Sequence, residues 1–202
     1  MPMLTKFRPP NAIGEKLAEW IVSRRVRITT VVFSLLIAEG IVNGIQPHDP
    51  ANVNDYVSLL GVALVALGLW TRSWAAGTLQ KLASLTTHGP YSIVRNPLYL
   101  GSLLMMLGFG TLIGDPVISW VALAPFLALF TLQIRHEERE LAVKFGDRWV
   151  EYVRTTPRFL PRRLSEGVEA CWSVTQWVAN REYRAVAATA LGLAVLVLWH
   201  AF

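Results

Sequence analysis

Two short stretches hold most of the polar chemistry in an otherwise apolar chain. THGPYSIVRNPLYLG, Thr87 to Gly101, places a histidine, an arginine, an asparagine, two tyrosines, two glycines and two prolines within fifteen positions. QIRHEERELAVKFGDRWVEYVRTTPRFLP, Gln133 to Pro161, opens with the paired carboxylates Glu137 and Glu138. Gly89-Pro90 is a turn signal, so the chain reverses after His88. Asn96-Pro97 is a helix start, because Asn is a favoured N-cap and Pro fits the first helical position. A helix N-terminus offers free N–H groups to an anion, and Arg95 adds a full charge beside it. Glu137 and Glu138 accept hydrogen bonds from hydroxyl or ammonium groups. Together these groups describe a pocket for a zwitterionic, water-soluble ligand. Taken singly, each residue also fits a plain membrane interface: belt tyrosines, a positive-inside arginine, and a solvated helix with Glu140 and Lys144 as an i,i+4 pair.

The elements that must position these groups are membrane helices. The chain is 53% hydrophobic and 16% charged over 202 residues, with mean hydropathy +0.40. A soluble domain carries roughly 25% charged residues. The composition therefore predicts an all-α polytopic membrane protein of about five transmembrane helices plus interfacial helices, in one domain over 1–202. Spans are expected at 28–45, 56–75, 98–113, 116–134 and 184–201, and interfacial helices at 12–27 and 164–182. The short turn Gly114–Pro116 makes 98–134 a helical hairpin, so the two polar stretches bracket it. Leu141, Phe145, Trp149 and Val153 recur every four residues, which continues the fourth span as a helix, interrupted at Gly146 and ended by Pro157 and Pro161.

Charge sets the expected orientation. All nineteen Lys and Arg residues fall in 1–27, 71–97 and 135–184, whereas 46–55 and 114–116 hold only Asp49, Asp55 and Asp115. This positive-inside pattern places the N-terminus and both polar stretches in the cytosol; the compact chain without eukaryotic sorting signals suggests a prokaryotic plasma membrane. The basic excess lies where anionic headgroups would be, so it implies membrane lipids as partners and no nucleic acid. No signal-peptide-like apolar stretch precedes Trp20. One cysteine, Cys171, and four scattered histidines give no metal-ligand set. Glu39, inside the first expected span, is either functional or locally hydrogen-bonded. Ala188 and Gly192 form a small-xxx-small pair for packing within the chain or between copies. Oligomeric state is left open.

GPYSIVRNPLYLG, followed after one hairpin by EERELAVKFGDRWVEYVRTTPR, resembles the membrane methyltransferases typified by isoprenylcysteine carboxyl methyltransferase and the phospholipid N-methyltransferases. The likeness covers roughly 71–161, the expected core, with 1–70 and 162–202 supplying spans and interfacial helices. It implies S-adenosylmethionine as cofactor and methyl transfer to a lipophilic acceptor: an isoprenylcysteine-like carboxylate, a phospholipid amine or another lipid-soluble molecule. The cofactor contacts it implies are Leu85, Thr86, His88, Gly89, Tyr91, Asn96, Pro97, Tyr99 and Glu137, with Arg95, Arg135 and Glu138 in catalysis. Two positions depart from the pattern. Asn96 stands where the family often has His, and Gln133 stands where an arginine linked to substrate recognition is common, with Arg135 nearby. A sterol-reductase-like enzyme using NADPH shares the architecture, but the chain carries no GxGxxG. A non-catalytic membrane scaffold is the third reading.

Overall fold

A computed structural model describes residues 35, 37–80, 84–161 and 172–201. Every regular element among them is helical: α1 (Tyr56–Thr78), α2 (Pro90–Ile93), α3 (Pro97–Ile113), α4 (Pro116–Phe145), α5 (Asp147–Thr155), α6 (Val174–Ala179) and α7 (Tyr183–Ala201), with 37–42 also helical. The protein is an all-helical membrane protein. Three helices, α1, α4 and α7, are long and apolar enough to cross a bilayer, and α3 is a shorter apolar helix of 17 residues, about 25 Å long. Of the span expected at 28–45, only the part from 35 onward (36 excepted) is described, and the interfacial segments 12–27 and 164–171 lie outside the described residues.

Local sequence explains the helix ends. Asp55 caps α1 by accepting from Val57 N at 3.0 Å and Ser58 Oγ at 2.9 Å, and Asp115 caps α4 by accepting from Ile118 N at 2.7 Å. Gly114, with φ 75°, turns the α3–α4 hairpin in the left-handed conformation that glycine adopts without a Cβ penalty. Pro125 sits inside α4, as membrane helices tolerate.

The helices α1 and α3 pack in direct backbone contact. A Cβ built on Gly68 would lie 2.5 Å from the Gly101 carbonyl oxygen, and one on Gly101 would lie 2.6 Å from that of Gly68. Seven residues along each helix, a Cβ on Gly108 would lie 2.6 Å from the Gly61 oxygen. These small residues let the two helices approach closely, as packing in lipid requires. In α7, Gly192 packs against the Phe109 ring.

The two ends of the bundle differ. At one end Val65, Leu112, Ile113, Ile118, Leu196 and Trp199 form an apolar core. There His48 N donates to Leu112 O at 2.7 Å, and His200 bonds Pro47 O at 2.8 Å. Glu39 is exposed in this region and accepts from Asn43 Nδ2 at 2.6 Å, which supplies the local hydrogen bond for an acid in an apolar span. At the other end the segment 172–182 clamps the C-terminal end of α1. Trp172 Nε1 donates to Ser73 O, and Asn180 Nδ2 donates to Ala76 O and Leu79 O, satisfying carbonyls that a helix end leaves open. Arg72 binds Glu182 through two hydrogen bonds of 2.8 and 3.0 Å and also contacts Ser102. Glu182, 3% exposed, follows Arg181, whose φ of 58° is strained for a non-glycine residue.

Candidate active site

Both polar stretches meet at this second end. Pro97 opens α3 as expected from sequence, but the Asn96 side chain makes no cap bond. It turns instead toward Glu138, with Nδ2 to Oε1 at 3.4 Å. The backbone explains the difference. Arg95 N donates to Pro157 O at 2.8 Å and Asn96 N to Arg158 O at 3.3 Å, so the chain after α5 pairs with the chain before α3. Gly146, with φ 51°, makes the bend that returns α5 to this position.

These segments enclose a cavity of about 110 Å³. Its walls come from Leu79, Gln80 and 84–86, from Tyr91 and 95–99, and from Glu137, Glu138, Leu141, Trp149 and Tyr152. Of the residues expected at the site, Leu85, Thr86, Tyr91, Arg95, Asn96, Pro97, Tyr99, Glu137 and Glu138 line it. Arg135 does not: it is exposed, because Glu137, Glu138 and Leu141 define the inward side of α4 and Arg135 is turned away from it. His88 and Gly89 form the turn that starts α2 and do not line the cavity. Trp149, Tyr152 and Arg158 are site residues that the residue-by-residue reading left without roles, although all three stand in the quoted motif. Glu140 lies 3.4 Å from His136 Nε2, one turn earlier on α4.

The two acids are held differently. Glu138 is gripped by Arg158, at 2.5 Å from Nη2, by Arg95 at 3.4 Å and by Asn96. It therefore ties the α5 exit to the α3 entrance. Glu137 accepts from Tyr99 Oη at 2.8 Å and from Gln133 Nε2 at 2.9 Å. Both donors are neutral and both bonds end on Oε1. Among the described residues no cation lies within ion-pair distance of Glu137.

Three buried polar atoms have no partner among the described residues: Tyr91 Oη, Arg95 Nε and Gln133 Oε1. A bare buried donor or acceptor costs about 1–3 kcal/mol, so such atoms mark positions where a ligand is expected. Burial pushes the Tyr91 hydroxyl well above the usual tyrosine range, with Tyr152, Glu137 and Glu182 acting in the same direction, so it remains a protonated donor. Burial lowers the Arg95 guanidinium while Glu138 opposes the shift, and the group stays charged at any physiological pH. The Trp149 ring, 5.8 Å from Arg95 Cζ, supports the same cation from the other side.

Tyr152 Oη donates to Tyr91 O at 2.7 Å within the buried interior. Tyr152→Phe removes that donor and bares a buried carbonyl, so we expect stability to fall by about 1–3 kcal/mol, measured as a lowered thermal midpoint in detergent.

A second cavity, about 460 Å³, lies at the far end of α3 beside Phe109, Trp120 and Trp199. It is larger, and its lining includes one carboxylate, Asp115, and His48 but no Lys or Arg, whereas Arg95, Glu137 and Glu138 converge on the smaller one. No group of three or more His, Cys, Asp or Glu side chains among the described residues is placed to hold a metal.

Comparison with known proteins gives a consistent picture. The family described as phospholipid methyltransferase matches residues 56–148, which include the α1–α3 contact and most of the cavity. The cobalt-zinc-cadmium resistance protein CzcN of Cupriavidus metallidurans is 31% identical over 169 residues, 82% of this chain and 76% of that protein. The nickel-cobalt-cadmium resistance protein NccN of Alcaligenes xylosoxydans xylosoxydans is 28% identical, covering 79% of this chain and 75% of its own length. Protein-S-isoprenylcysteine O-methyltransferase B of Arabidopsis thaliana is 26% identical over 118 residues, 52% of this chain and 60% of that one. No solved structure matches the chain.

Proposed function

Since this chain belongs to the phospholipid methyltransferase family of integral membrane methyltransferases, we propose that it transfers a methyl group from S-adenosylmethionine to a lipophilic acceptor at the cytosolic face of a prokaryotic plasma membrane. The observation that carries this reading is the polarity of the cavity. Arg95, with a buried N–H that has no partner among the described residues, lines it together with Glu137, whose carboxylate pairs with no cation among them. This donor set suits the zwitterionic amino-acid portion of the cofactor, whose carboxylate Arg95 would hold and whose ammonium Glu137 would hold. The cavity volume suits that portion rather than a whole nucleoside. Leu85, Thr86 and Tyr91 offer apolar and hydroxyl surface to the remainder.

When bound, S-adenosylmethionine would supply an electrophilic methyl group to the acceptor's lone pair, with its sulfur as the leaving group. The protein's own work is alignment and exclusion of water. Tyr99 and Gln133 fix Glu137, the Arg158–Glu138 bonds hold the α5 exit over Arg95, and Trp149 and Tyr152 fill the space behind. The orientation rests on the sorting of the basic residues. The metal-resistance names of the two bacterial relatives describe a setting and leave the reaction unspecified.

Calorimetric titration of the purified protein in detergent with S-adenosylmethionine, and separately with NADPH, tests the proposal. Binding of the first alone is expected. Binding of NADPH alone would move the chain to the reductase reading, and binding of neither would leave a scaffold.

A further inference from the structure

The match to the methyltransferase family ends at residue 148, yet the segment 172–182 reaches two walls of the polar cavity without contributing a lining residue. One route runs through Asn180. Its Nδ2 donates to Leu79 O at 3.0 Å, and Leu79 and Gln80 line one wall together with Thr86, whose hydroxyl accepts from Gln80 N at 3.2 Å. The other route runs through Glu182, which is 3% exposed and follows a backbone held at a left-handed φ of 58° at Arg181. A non-glycine residue keeps such a conformation only where its surroundings over-determine it. Glu182 receives the Arg72 fork at 2.8 and 3.0 Å, and the remaining arm of the guanidinium, Nη1, donates to Ser102 Oγ. Because a guanidinium only donates, the Ser102 oxygen must accept from it, and its one O–H is left for Leu98 O, at 2.9 Å. Leu98 lies in the first turn of α3 and lines the cavity beside Tyr99, the residue that fixes Glu137. A hydroxyl that bonds back to the carbonyl one turn earlier bends a helix, so this chain of four groups sets how α3 starts.

Resting on the methyl-transfer reading above, we propose that Ser102, Arg72 and Glu182 are positioning residues for the cofactor. Through them the C-terminal segment holds the first turn of α3, and with it Tyr99 and Glu137, in the binding arrangement, although none of the three lines the cavity. The difference from a plain structural brace is energetic. A buried ion pair contributes little net stability, and apolar residues of similar volume in its place are often neutral or stabilising. Such a replacement cannot supply the directed donor to Ser102. Stability and cofactor affinity therefore separate at this cluster. Removing Glu182 alone would not separate them, because it strands the Arg72 charge.

The test titrates S-adenosylhomocysteine calorimetrically into the full chain in detergent and follows thermal unfolding of each variant without ligand. Ser102→Ala is expected to weaken binding by about 3- to 10-fold, the worth of one lost hydrogen bond, with Ser102→Thr, which keeps the hydroxyl, within about twofold of wild type. Arg72→Met combined with Glu182→Met is expected to lose at least as much affinity while its unfolding midpoint stays level or rises. Thr111→Ala is the control. It deletes the same kind of bond, from Oγ1 to Leu107 O at 2.9 Å, near the far end of α3, and is expected to bind as wild type does. Wild-type affinity in Ser102→Ala or in the folded double variant, a threonine variant as weak as the alanine one, or an equal loss in Thr111→Ala overturns the proposal. So does a Ser102→Ala chain that does not fold, since the serine would then serve stability alone. If the double methionine variant does not fold, the two Ser102 variants decide. No binding by the wild type would instead overturn the cofactor reading on which the proposal stands.

Discussion

Glu137→Gln is expected to weaken S-adenosylmethionine binding by about 10- to 150-fold while leaving the protein folded. A hydrogen bond to a charged group is worth about 1.5–3 kcal/mol, and each 1.4 kcal/mol is tenfold in affinity. The substitution isolates charge from shape because Tyr99 and Gln133 both donate to Oε1. A glutamine carbonyl oxygen in that place accepts both bonds, so the wall keeps its form and only the negative charge is lost. Glu140→Gln is the control, being exposed on α4 and engaged by His136. Calorimetry on both variants checks the expectation. Unchanged affinity in Glu137→Gln would remove Glu137 from the cofactor site, and equal loss in both would show that net charge alone was being measured.

Gly101→Val is expected to be the most damaging single substitution in the described structure, with loss of at least about 3 kcal/mol or failure to fold. The first added carbon would sit 2.6 Å from the Gly68 carbonyl oxygen and 3.1 Å from Arg72 N. Backbone atoms cannot move aside as a side chain can, so α1 and α3 must separate. The helix propensity gained by replacing glycine, about 1 kcal/mol, does not offset that. Separation would also disturb the Arg72–Ser102 contact and, one turn from Gly101, the Asn96–Pro97 entrance to the site. Gly192→Ala is the comparison: its Cβ meets the Phe109 ring at 3.0 Å, a side chain with room to shift. Thermal unfolding followed by circular dichroism should show a large fall for the first and a small one for the second. Equal midpoints would mean that the two helices are not closely packed in the membrane.

Much of the site was legible in the sequence because its residues lie in two short stretches. Pro97 at a helix start, the break at Gly146 and the hairpin at Gly114 follow from backbone chemistry that each residue carries with it. The convergence of Asn96 and Glu137 followed from the hairpin, which returns α4 to the level at which α3 began. Contacts between distant positions were not legible. Arg72 and Glu182 are 110 residues apart, and nothing in either neighbourhood names the other. The glycine pairs were hidden because a uniformly apolar helix shows no period from which to read its packing face. Arg135 was placed at the site by proximity to Gln133, whereas helical phase turns it outward. Glu138 was assigned to catalysis as one of two adjacent acids, and only the position of Arg158, twenty residues later, shows it engaged in tying segments together.

The two amide bonds from Arg95 and Asn96 to the carbonyls of Pro157 and Arg158 also bear on biosynthesis. The ribosome releases the α3 entrance some sixty residues before the strip that closes over it. A nascent chain that has already made α1, α3 and α4 still lacks one side of the cavity until Pro157 and Arg158 have emerged.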